Sequence, residues 1–159
     1  MKILDIKPTV GIRIQKDHFD FFFQQQLKGG KNERVLFKMD YQRFLWAFIL
    51  GIKAGERVPL TSKTESAFKW EIIQRRPNMA QLMIGLVIQE KYKDCPEKLR
   101  EDFENAQSGD NPFSDELRIA VEEYANKGFE ILTQKMLIDN GYIENVQSVV
   151  NDILKTTEI

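Results

Sequence analysis

The stretch FLWAFILGIKAGERVPL, residues 44–60, decides how this chain folds. From Tyr41 onward, Phe44, Leu45, Phe48, Ile49 and Ile52 recur at helical spacing, while Trp46 and Leu50 extend the apolar surface nearly all round. A helix that apolar belongs at the centre of a core. Asp40 is placed to cap its start, Gly55 to stop it, and Pro59 to prevent its resumption. The charged turn Gly55 to Leu60 therefore reads as the exit of a buried helix.

Upstream, VGIRI (residues 10–14) sets Val10, Ile12 and Ile14 on one side and Gly11 and Arg13 on the other, the period of a half-buried strand. KDHFDFFFQQQL follows with Phe19, Phe22, Phe23 and Leu27 at helical spacing, and Asp17 serves as its cap or as first-turn negative charge. The consecutive glycines of KGGKNER break that helix.

Downstream, FKWEII alternates Phe68, Trp70 and Ile72 against Lys69 and Glu71, which predicts a short extended segment, with a helix as the alternative. Pro77 and Asn78 open a helix with Met79, Leu82, Met83, Leu86, Val87 and Tyr92 directed inward. CPEKLREDFENA is a charged amphipathic helix anchored by Leu99 and Phe103. QSGDNP, residues 107–112, is the clearest loop signal. Ser114 then reads as the N-cap of a long helix whose apolar face holds Leu117, Val121, Tyr124, Ile131, Leu132 and Met136, ended by Asn140-Gly141. A last helix uses Ile143, Val146, Val149, Val150, Ile153 and Leu154. The expected fold is mainly α: a single compact helical domain over 1–159 with one or two short strands and an internal loop at 107–112.

Composition narrows the function classes. At 159 residues, 42% of them apolar and eleven of them phenylalanine, the chain is long enough to bury a core without covalent staples. Twenty-three Lys and Arg face 24 acids, so any nucleic-acid role must rest on a local basic face. A single cysteine, Cys95, and a single histidine, His18, exclude an internal disulfide and any multi-cysteine or histidine-rich metal site. MKILDIKPTV lacks a secretory h-region, and no apolar run approaches the roughly 20 residues that cross a bilayer. A cytoplasmic protein without a membrane partner is expected.

Reactive constellations are scarce. No nucleophile elbow accompanies His18. Neither LKGGKNER nor GIKAGERVPL has the glycine spacing of a phosphate-binding loop. The pairs Glu101-Asp102 and Glu122-Glu123 place their carboxylates about 100° apart on a helix and read as solvated faces. No catalytic residue, cofactor or metal site is expected. The local basic groups are Arg13 and Lys16, Lys53 and Arg57, and Lys69 with Arg75 and Arg76. A strand with outward Arg13 followed by two helices resembles a ribbon-helix-helix module, whose paired strands read the major groove, although the connection containing GGKNERVLFK is long for that fold.

FLWAFILGIKAGERVPL, FKWEII and EEYANKGFEIL together resemble a small accessory family that accompanies bacterial DNA phosphorothioation (Dnd) modification and restriction systems. The shared pattern is an apolar helix ending Leu-Gly-x-Lys (Leu50 to Lys53), a turn closing on Arg-x-Pro-Leu (Arg57 to Leu60), Trp70, the helix after Asn78, and Glu123 to Gly128. It covers about residues 35 to 154. The resemblance implies an accessory component of defence islands that distinguish self from foreign DNA, and it supplies no catalytic residues. The expectation is a non-catalytic subunit of a modification-dependent restriction or anti-phage system, docking to a larger nuclease or ATPase component. Trp70, Tyr124 and Gly128 are the partner-contact candidates, with internal packing as the competing explanation. The alternative is a direct DNA-binding regulator with a ribbon-helix-helix-like N-terminal part, using Arg13, Lys16, Lys53, Arg57, Arg75 and Arg76. Self-association is left open.

Overall fold

Two glycines set the architecture. The computed structural model describes residues 10–25, 39–106 and 112–138. Helix α2 (Asp40–Ala54) and the 27-residue helix α6 (Pro112–Ile138) cross at van der Waals contact. A Cβ on Gly51 would lie 1.8 Å from the Tyr124 carbonyl oxygen, and one on Gly128 would lie 1.6 Å from that of Ala47. Position 51 meets 124 while 47 meets 128, so the helices run antiparallel and one turn of each touches backbone to backbone. Only a residue without a side chain permits that approach. Phe44, Ala47, Phe48, Val121, Ala125 and Phe129 are buried around the crossing.

A two-stranded antiparallel sheet flanks this pair. Strand β1 (Gly11–Gln15) pairs with β2 (Thr64–Lys69), Ile12 opposite Phe68 and Ile14 opposite Glu65, with a bulge between Ile12 and Arg13. Ile12 and Ile14 enter the core as their alternation requires. After β1 come α1 (Lys16–Phe19) and a π-helical turn (Asp20–Gln25), where Asp17 occupies the first helical turn and Phe22 is buried. After β2 come α3 (Glu71–Gln74), α4 (Pro77–Tyr92) and α5 (Pro96–Ala106). The Tyr92 hydroxyl donates to Asp102 at 2.8 Å and ties α4 to α5, and desolvation together with that carboxylate holds its proton well above the usual phenol range. The mainly helical fold with two short strands is as expected from the sequence.

Several local expectations shift. The extended segment ends at Lys69, before Trp70, and begins earlier, at Thr64. Pairing with β1 fixes those limits: the Trp70 amide still donates to the Val10 carbonyl at 2.9 Å, but its backbone is already helical. Helix α2 is capped from Met39, not Asp40. The Gln42 carboxamide accepts from the Met39 amide at 3.1 Å, and Asp40 lies in the first turn, paired with Arg43. Its exit is as read, with Gly55 at φ 67° and its amide donating to Gly51 and Ile52. Helix α6 starts at Pro112, two residues ahead of Ser114, since proline suits the first helical position. Leu82 points outward, 49% exposed, whereas Met83, Val87 and Tyr92 are buried. Residues 107–111, Asn140-Gly141 and the last expected helix lie outside the described residues.

Candidate interaction surface

The charged turn after α2 is strapped onto α6. Glu56 pairs with Lys127 at 2.6 Å, and the Arg57 guanidinium donates through Nε and Nη2 to Glu123 Oε2, both at 2.8 Å. The Val58 amide donates to the Glu123 carbonyl at 3.2 Å. Asn126 Nδ2 donates to the carbonyls of Val58 at 3.1 Å and Pro59 at 3.5 Å. Two carbonyls can be met only by an NH2 group, so the amide orientation is fixed, and Asn126 Oδ1 is left buried without a partner. The turn Arg-x-Pro-Leu and the helical Glu-Tyr-Ala-Asn-x-Gly are thus two halves of one contact, continuous with the Gly51 and Gly128 crossing.

That strap fixes Arg57 at the mouth of a cleft of about 190 Å³ between α4 and α6. Val87 and Lys91 form one wall; Glu116, Leu117 and Ala120 form the other. Lys91 Nζ and Glu116 Oε2 bridge the two helices at 2.8 Å. The Arg57 guanidinium also stands 5.9 Å from the Tyr124 ring centre, a cation–π distance. Burial pushes the Tyr124 phenol above its ordinary pKa, with Glu90 adding in the same direction. The cleft is smaller than the roughly 300–1,000 Å³ of small-molecule sites. Its volume is of the order of one large side chain, and its lining mixes apolar and charged groups.

On the neighbouring face of α6, Glu122 is 1% exposed, against the expectation of a solvated acidic pair. Its carboxylate accepts from the Arg13 amide at 3.1 Å, from Arg13 Nε and Nη2 at 3.2 and 3.0 Å, and from Arg118 Nη1 at 2.8 Å. The 100° between successive helical residues turns Glu122 to β1 and Glu123 to the Arg57 strap. Each acid finds its own arginine, and Glu122 finds a second.

The remaining sequence-derived positions are dispersed among internal contacts. Arg13 is committed to Glu122, and Lys16 pairs with Asp20 and Glu65. Arg75 lies 3.8 Å from Glu71. Arg76 donates to the Ile72 carbonyl and stacks 4.1 Å over Tyr41. Lys53 lies in the last turn of α2. Trp70, Tyr124 and Gly128 are all buried, so their contacts are with this chain's own core. His18 stacks on Phe129 at 5.7 Å, where burial lowers its pKa against smaller opposing effects of Glu130 and Asp17. Cys95 is exposed, with its sulfur 3.6 Å from Glu97. No helix among the described residues is long and apolar enough to cross a membrane.

Sequence reasoning read Glu122 as solvated and gave Asn126 and Phe129 no role of their own. Their partners lie far along the chain, 109 residues away for Arg13 and 68 for Val58, so periodicity carried no sign of them. The one available signal was a polar residue, Asn126, on the apolar face of a helix.

No curated protein and no solved structure matches the chain significantly. The family model of DNA sulphur modification system-associated protein 4 matches residues 11–158, which takes in β1 and the phenylalanine-rich turn as well as the strap and both crossing helices. The chain belongs to that family and is associated with DNA sulphur modification systems.

Proposed function

We propose that this chain is a non-catalytic accessory subunit of a modification-dependent restriction or anti-phage defence system, and that it docks onto a larger nuclease or ATPase component through the rim of the α4–α6 cleft. The observation that carries this reading is the strap. Four separate contacts to α6 hold the Gly55 to Leu60 turn, and they fix a part-exposed arginine at the edge of a cleft lined half by apolar and half by charged groups. A pre-set arginine beside a pocket for one anchor side chain is how protein interfaces concentrate their binding energy. Against direct DNA binding stand the acids already paired with Arg13, Lys16, Arg57 and Arg75, which cancel the positive potential that phosphates require.

The test exchanges charge without removing the internal bridge. Lys91→Glu combined with Glu116→Lys keeps an ion pair between α4 and α6 but reverses the field at the cleft. The double variant is expected to melt with the wild type and to lose at least about tenfold in affinity for the partner component, about 1.4 kcal/mol. Unchanged affinity in a well-folded double variant refutes the cleft as the docking site.

A further inference from the structure

The outer face of α4 differs from every other exposed helical surface among the described residues. From Asn78 to Gln89 its exposed positions are Asn78, Gln81, Leu82, Gly85 and Gln89, a stripe about 100° wide with no charge on it. Neighbouring α5, by contrast, exposes Glu97, Lys98, Arg100, Glu101 and Glu104. In a chain that is 30% charged, a charge-free exposed stripe resembles the centre of an interface more than ordinary surface. Gly85 adds an independent observation. A Cβ there would meet nothing within 4 Å, and its backbone is ordinary helix, so this fold has no use for a glycine that weakens its helix.

We propose that this stripe is the contact between two copies of the chain. The pattern is self-complementary. An antiparallel pairing of two α4 helices about a two-fold axis between Met83 and Ile84 places Leu82 of each copy over Gly85 of the other. The same axis sets Asn78 opposite Gln89, amide against amide, so each can donate and accept. Large meets small at the centre and no like charges face each other, as a two-fold contact between identical surfaces requires. Val87 and Lys91 lie on the opposite side of α4, so the proposal does not depend on the cleft reading. A single helix crossing buries less than the roughly 1,200 Å² of a standard interface, so the dimer is reversible and concentration-dependent.

Sedimentation equilibrium from about 10 to about 500 µM, spanning the affinity of so small an interface, tests this. The wild type is expected to rise from 18.6 kDa towards twice that mass. Gly85→Lys and Leu82→Lys are expected to stay at the single-chain mass throughout. Gly85→Lys also melts no lower than the wild type, because lysine is the better helix former and the space is open. A wild type at single-chain mass at every concentration overturns the proposal, as does association of both lysine variants like the wild type. If the stripe variants leave the mass unchanged but abolish binding to another component of the system, the face belongs to that protein, and the two-fold contact is refuted.

Discussion

Gly128→Ala is the sharpest probe of the fold. The added methyl would sit 1.6 Å from the Ala47 carbonyl oxygen, 2.3 Å from its carbonyl carbon and 2.7 Å from its Cα, where real Cβ atoms essentially never come within 3.0 Å. No side-chain rotation relieves this, because all three atoms are backbone. The helices must part until 1.6 Å becomes at least 3.0 Å. A radial gap of only 0.5–1 Å forfeits a quarter to a half of each dispersion contact, so most contacts of Phe44, Phe48, Val121 and Ala125 across the crossing weaken together. Overpacking a core costs about 1–3 kcal/mol where side chains can adjust, and a backbone clash lies at or beyond the upper end. Replacing glycine returns about 1 kcal/mol of helix propensity. The net loss is about 2 kcal/mol or more, a large share of the 5–15 kcal/mol by which domains are stable. Gly85→Ala is the control: the same chemical change in open space stabilises by about 0.5–1 kcal/mol. Urea denaturation of both variants reads the difference from their midpoints. A Gly128→Ala protein as stable as Gly85→Ala would refute the backbone crossing.

Glu122→Gln leaves Arg13 and Arg118 facing a neutral amide and is expected to destabilise by about 2 kcal/mol in denaturant titration, below the 3–5 of a fully buried pair because Arg13 is 45% exposed. Asn126→Asp sets a carboxylate against two carbonyl oxygens in a buried site; the strap should loosen, seen as faster amide exchange at Val58 and a lower melting temperature. His18 has a folded pKa below its ordinary 6.5, so the folded state binds fewer protons than the unfolded one. Its contribution is complete above pH 6.5 and is lost as the pH falls below that value. His18→Phe should flatten this part of the stability–pH curve.

How much the sequence disclosed depended on the range of each interaction. Helix α2 was legible because its apolar run and its Gly55 stop are local, and β1 because Ile12 and Ile14 alternate with Arg13. Strand β2 was legible only in part. Its first half, Thr64 to Ser66, is polar, and it is extended because β1 pairs with it. Leu82 was placed inward because α4 is apolar over most of its circumference, which leaves its periodicity ambiguous. The site was least legible. The motif residues Arg57 and Glu123 stood out separately, but 66 residues part them, and only the fold shows that they grip each other. Glu122 read as solvent-facing for the same reason.

Docking within a DNA sulphur modification system is the proposed mode of action. Calorimetric titration of the purified chain into each purified component of such a system, with a DNA duplex as comparison, tests it most directly. Saturable binding to one protein component, weakened about tenfold by the Lys91→Glu, Glu116→Lys exchange and with only modest salt dependence, is the expected result. Binding to none of the components, alongside duplex binding that falls steeply with salt, would contradict it.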